Sequence, residues 1–85
     1  MAEYKIYFKQ SAIKDHDAIP KKDLQRIIDR IDLVKEDPRP PGCVKLSGQE
    51  RYRVRQGNYR IVYSIQDDVL TIWIVKIGRR RDVHR

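Results

Sequence analysis

Eighty-five residues, 40 % apolar and 36 % charged, give enough material for one small core, so a single domain spanning 1–85 is expected. No apolar run approaches the roughly 20 residues of a membrane span, and no basic-then-apolar secretory start is present. Nineteen Lys/Arg against twelve Asp/Glu give a net charge of +7, with residues 1–42 at only +1 and residues 43–85 at +6. A basic half of this kind points to a polyanionic partner.

Residues 3–8 alternate, with Tyr4, Ile6 and Phe8 on one side and Lys5 and Tyr7 on the other, which predicts a half-buried strand. Ser11 is placed to cap a short helix running to about His16. Pro20 suits the first position of a longer helix, in which Leu24, Ile27, Ile28, Ile31 and Val34 recur at helical spacing. That helix should stop near Asp37, because Pro38 disfavours helical geometry in the residue before it. Residues 38–42 then form a stiff connector.

Cys43, the sole cysteine, excludes an internal disulfide framework and fits a reducing compartment, so a cytoplasmic location is expected. One cysteine with two separated histidines, His16 and His84, also leaves too few ligands for a zinc site. His16 reads as a surface or structural residue.

Three strands follow, at 51–55, 59–66 and 69–77, with turns at Gly57-Asn58 and Asp67-Asp68. The expected fold is α+β: a small antiparallel sheet in the order β-α-α-β-β-β, with two helices packed on one face. A two-residue Gly57-Asn58 turn sets Arg55 opposite Arg60 and Val54 opposite Ile61. Tyr52, Val54, Ile61 and Tyr63 then face the core, while Arg51, Arg53, Arg55 and Arg60 share the other face. Like charges directly opposed destabilise a sheet, and such local violations tend to mark function.

Across the next hairpin, Leu70, Ile72 and Ile74 are expected in the core, with Thr71, Trp73 and Val75 on the arginine side. There Trp73 would be either packing or a stacking surface beside the basic patch. After Gly78 come Arg79, Arg80 and Arg81.

These segments resemble the RelE/ParE superfamily of small toxins from toxin–antitoxin pairs. The resemblance is carried by Asp37-Pro38-Arg39-Pro40, Lys45-Leu46-Ser47-Gly48, the string from Tyr52 to Tyr63, and the run from Gly78 to Arg85. RelE-like members cut mRNA in the ribosomal A site without a metal; ParE-like members inhibit DNA gyrase. The RelE-like branch implies attack by the ribose 2′-hydroxyl on the adjacent phosphate, with no cofactor.

It further implies a catalytic set of Arg60, Arg80, His84 and Arg55, with Arg53 on the RNA backbone, and the neighbouring cations Lys45, Arg51, Arg79 and Arg81 are expected to grip RNA phosphates. Guanidinium groups stay charged and engage phosphate through two donors, which suits stabilisation of a phosphorane. The first hairpin strand carries arginines where the best-known members have lysines, and arginine does not surrender a proton. His84 stands where a tyrosine is common and titrates near neutrality, so it is the candidate base, with Glu50 as the other.

The expected partners are a cognate antitoxin, the ribosome and mRNA, and operator DNA only through the antitoxin complex. No membrane partner is expected. The competing readings are a gyrase-directed toxin and a non-catalytic basic binding module.

Overall fold

In a computed structural model of the chain, residues 3–46 and 50–79 are described. In chain order they form β1 (Lys5–Phe8), α1 (Gln10–Asp17), α2 (Lys21–Glu36), β2 (Val44–Lys45), β3 (Arg51–Gln56), β4 (Tyr59–Gln66) and β5 (Thr71–Arg79). The strands make one five-stranded sheet in the order β1-β5-β4-β3-β2. The two helices pack against one face of it, so the α+β expectation holds. Two features go beyond the expected antiparallel meander. A two-residue strand, β2, pairs with β3, and β1 runs parallel to β5, with Ile6 beside Ile72 and Tyr7 beside Trp73. The sheet is therefore mixed. Its parallel pair joins elements too distant in sequence for any local pattern to announce.

The core forms where the apolar stripe of α2 meets the inward positions of the strands. Ala12, Ile27, Ile31 and Val34 from the helices are buried with Val54, Ile61, Tyr63, Ile72, Ile74 and Ile77 from the sheet. Full burial of one such aliphatic side chain contributes about 1.5–3 kcal/mol. The helix ends at Glu36, and Asp37 takes an extended conformation (φ −139°, ψ 94°), as a residue before proline should. Tyr63 is fully buried, yet its hydroxyl donates to the Pro38 carbonyl at 2.7 Å, so the stiff connector is tied to the middle of β4. Burial pushes the Tyr63 phenol pKa well above its ordinary value.

Ser11 does not cap α1. The N-cap is Lys9, and the Ser11 hydroxyl donates instead to the Val75 carbonyl. The reason lies in the sheet edge. β1 ends at Phe8, so the second half of β5 would present unpaired backbone groups to solvent. Helix α1 covers that edge: Ser11 takes up the Val75 carbonyl, and Asp15 accepts from the Ile77 amide at 3.0 Å.

The turn at Asp67-Asp68 is not a tight hairpin. Residues Asp67–Val69 form one turn of 3-10 helix, and Leu70 follows in the left-handed region at φ 46°. Leu70 is accordingly exposed at 39 % and does not enter the core. A left-handed non-glycine residue costs roughly 1–2 kcal/mol. The turn is held by Thr71, whose hydroxyl donates to the Val69 carbonyl, and by the contacts of Asp67 described below.

Further along, Val62 pairs with Lys76 while Tyr63 pairs with Ile74, so Val75 is the extra residue of a β-bulge. The bulge shifts the alternation by one. Ile77 thereby joins the core, and Val75 leaves the regular face on which strict alternation had placed it.

Candidate functional site

The β3–β4 hairpin is closed by Gly57 and Asn58, with Gly57 at φ 59°. A positive φ at the first central position is the glycine-first pattern of two-residue hairpin turns. It fixes the register that the sequence predicts: Gln56 beside Tyr59, Arg55 beside Arg60, Val54 beside Ile61 and Arg53 beside Val62. Arg51, Arg53, Arg55 and Arg60 consequently share the face turned away from the helices. Their exposure is not uniform. Arg51 and Arg55 are exposed, Arg53 is half-buried, and Arg60 is only 2 % exposed. On its other side Arg60 stands across from Gly78, which adds no side chain to that position.

Two cations are thus held directly opposite one another, one of them sunk into the surface. The Nε–H of Arg53 is buried with no hydrogen-bond acceptor among the described residues. Buried donors in folded proteins are normally paired, so this group has unused capacity for an anionic oxygen. No carboxylate occupies an outward strand position on this face among the described residues. From β1 to β3 those positions hold Lys5, Tyr7, Thr71, Trp73, Lys76, Gly78, Arg60, Val62, Ser64, Gln66, Arg51, Arg53 and Arg55.

Other candidates lie apart from this group. Lys45 pairs with Tyr52 and so takes its place on the helix side of the sheet, 3.9 Å from Glu50 in a solvent-exposed contact. Glu50 precedes β3, about 16 Å along the chain from Arg55 at 3.3 Å per residue, which removes it from the neighbourhood of Arg60. Arg79 pairs with Tyr59 and also falls outside the arginine face, at the exposed end of β5. Arg80, Arg81 and His84 lie outside the described residues, as do Ser47 and Gly48. His16 sits on α1 with its ring edge-on to Phe8 at 5.2 Å, a packing contact.

The sequence pattern that defines the ParE toxin of type II toxin–antitoxin systems (parDE) matches residues 6–84, nearly the whole chain. The chain belongs to this toxin family. The toxin is 26 % identical to Toxin RelG of Mycobacterium tuberculosis, over 96 % of this chain and 97 % of that one. Among solved structures it resembles the archaeal RelE–RelB complex of Pyrococcus horikoshii at 27 % identity and a TM-score of 0.81, covering 93 % and 97 % of the two chains. It also shares the fold of the RelBE2 toxin–antitoxin complex of M. tuberculosis, at 22 % identity and a TM-score of 0.83, over 93 % and 100 %.

Within the toxin, the Asp37-Pro38-Arg39-Pro40 segment has a defined structural task. The Arg39 guanidinium reaches Asp67 through two nitrogens, at 3.0 and 3.4 Å, and its Nε donates to the Tyr52 hydroxyl at 3.2 Å. Tyr4 donates to the same carboxylate at 2.7 Å. The hydrogen bonds from Arg39 and then Tyr4 hold the Asp67 carboxyl below its ordinary value, and the bond to Asp67 holds the Tyr4 phenol above its own. This clamp joins the residue before β1, the connector, β3 and the β4–β5 turn. Residue patterning offered no sign of it, because its four members come from four separate segments.

Local reasoning also missed the partner of Trp73. Tyr7 stacks on it across the parallel β1–β5 pair, with ring centroids 5.1 Å apart. The available signal was an aromatic on the polar side of the first strand.

Proposed function

We propose that the toxin is a ribosome-dependent mRNA endonuclease whose reaction centre lies on the arginine face of the β3–β4 hairpin. The observation that carries this reading is the register that gathers Arg51, Arg53, Arg55 and Arg60 on one face, with Arg60 directly opposite Arg55. A surface meant only for solubility gains nothing from gathering guanidinium groups on one hairpin face, whereas a dianionic phosphorane is stabilised by such an arrangement. The 26 % identity to Toxin RelG and the 27 % identity to the archaeal RelE of the RelE–RelB complex support the same branch.

In the reaction, the 2′-oxygen bonds to phosphorus and the bond from phosphorus to the 5′-oxygen breaks. The products are a 2′,3′-cyclic phosphate and a 5′-hydroxyl. Because the nucleophile belongs to the substrate, the protein must align it and stabilise charge. Arg60 faces the phosphorane, with Arg55 beside it; Arg53 and Arg51 hold the neighbouring backbone. The free Nε–H of Arg53 takes a phosphate oxygen. Arg80 is assigned to the developing charge on the leaving oxygen. His84 takes the proton of the 2′-hydroxyl, which leaves the acid that supplies the 5′-oxygen as a second role for the same imidazole or for water. The reading calls for no metal or cofactor.

The partners in this reading are a translating ribosome with its mRNA and a cognate antitoxin that places acidic residues on or near the arginine face. Contact with operator DNA runs through the antitoxin. The site of action is the cytoplasm.

The alternative is gyrase inhibition, favoured by the ParE description of the matching family pattern. Induction in growing cells separates the two. The nuclease reading expects new mRNA 5′ ends inside codons, lost in Arg60→Ala while antitoxin binding persists. Intact transcripts with arrested replication would establish the gyrase reading instead.

A further inference from the structure

We propose that Tyr7 and Trp73 form a second RNA subsite on the face of the sheet turned away from the helices, a stacking platform for a base of the mRNA flanking the cut. The inference rests on the endonuclease reading and extends its substrate contacts beyond the arginines. Tyr7 lies beside Trp73 in the β1–β5 pair, and their rings stack at 5.1 Å with an interplanar angle of 30°. The indole is fixed in place: its Nε1–H donates to Gln66 Oε1 at 3.3 Å, and the Lys9 ammonium lies 4.7 Å from its centroid. Tyr7 remains 46 % exposed.

Two large rings stacked on the face opposite the core lie outside the buried core cluster. Their neighbours decide which partner they suit. Lys5, Thr71, Ser64 and Gln66 surround them, so the platform is aromatic and cationic rather than a continuous apolar patch of the kind that docks a protein. Aromatic faces beside cations are the usual equipment for holding unstacked bases and their phosphates together.

Position agrees with this occupant. Ser64 pairs with Trp73, and Ser64 lies four residues along β4 from Arg60, about 13 Å at 3.3 Å per residue. That separation is too long for the nucleotide being cut and suits one further along the same strand. Lys9 is then free to exchange the indole face for the phosphate of the stacked nucleotide.

The test uses the full chain and a labelled 2′-O-methyl oligoribonucleotide, which lacks the attacking hydroxyl and cannot be cleaved. A matched oligomer with an abasic backbone serves as the comparison. Base–aromatic stacking of this kind predicts that the base-bearing oligomer binds about tenfold tighter than the abasic one. Trp73 is the sole tryptophan, so its emission should change saturably with the same Kd as fluorescence anisotropy of the label. Tyr7→Ala and the more conservative Trp73→Leu should each abolish the tenfold preference and leave abasic affinity unchanged. Arg55→Ala should weaken both oligomers alike.

Tight binding of the base-bearing oligomer with constant tryptophan emission and no loss in Tyr7→Ala would overturn the platform while leaving the arginine face as an RNA site. If that variant instead lost antitoxin binding, the rings would belong to a protein interface, and the proposal would fall. Failure of the wild type to bind either oligomer, with ribosomes present as well as without them, would overturn the RNA reading itself.

Discussion

The two faces of β3 and β4 are built from the same backbone and obey opposite rules. Toward the helices, Val54 meets Ile61 and Tyr52 stacks on Tyr63 at 6.0 Å, and both pairs add to the core. Away from them, Arg55 meets Arg60, a pairing that weakens the sheet. The hairpin thus carries stability on one face and unfavourable charge density on the other. Alternation along each strand lets both coexist, because the inward residues offset what the outward ones cost.

That contrast is sharpened most by substitutions that should affect one face alone. Arg60→Ala is expected to lower the rate of ribosome-dependent mRNA cleavage by on the order of 10²–10³, as loss of a preorganised donor does. Because Arg60 is buried, Arg60→Lys serves as the companion variant, keeping charge and most of the volume but losing the two-donor fork. Circular dichroism should show both folded. Ile61→Ala, on the core face, should instead cost about 2–5 kcal/mol in urea denaturation, with cleavage falling only as the unfolded fraction rises.

Arg55→Ala should move the two properties in opposite directions. Cleavage drops, while relief of the like-charge pair raises stability by about 0.2–1 kcal/mol, read from the denaturation midpoint. A variant that lost both would contradict the division of labour between faces.

A smaller effect is expected at the Asp67 clamp. Its carboxyl is held below the ordinary aspartate value of 3.8, so the fold binds fewer protons there than the unfolded chain does. Its contribution is therefore complete above about pH 3.8 and is lost as the pH falls through the lower folded value. Melting curves of wild type and Asp67→Asn should differ at pH 6 and converge as the pH drops below 3.8. Glu50→Gln should do least. Its contact with Lys45 is 3.9 Å long and open to solvent, so stability should shift by less than about 0.5 kcal/mol and cleavage should not change.

Local pattern sufficed wherever neighbours in sequence are neighbours in space. The Gly57-Asn58 turn fixes the Arg55–Arg60 pair because only two residues separate the strands. The Leu24-to-Val34 spacing likewise locates the buried stripe of α2, although Ile28 within it stays 38 % exposed at the helix margin.

What could not be read depends on distant segments. The β1–β5 parallel pairing links residues more than sixty positions apart, as does the Tyr4–Asp67 bond. The bulge at Val75 shifts a strand by one residue, which no alternation rule anticipates. The depth of Arg60 was equally hidden, since sequence gives the face a residue takes and not how far the surface closes around it. Lys45 and Arg79 were grouped with the arginines for their charge, and register places both on the other side of the sheet.

Whether the outward arginines support mRNA cleavage is decided by mapping RNA 5′ ends with purified toxin, with and without ribosomes. Cuts should fall inside codons, need the ribosome, leave 2′,3′-cyclic phosphate on the upstream fragment, and vanish in both Arg60→Ala and Arg60→Lys. Full-length mRNA in the presence of ribosomes, with toxicity unchanged in those two variants, would contradict cleavage by these arginines.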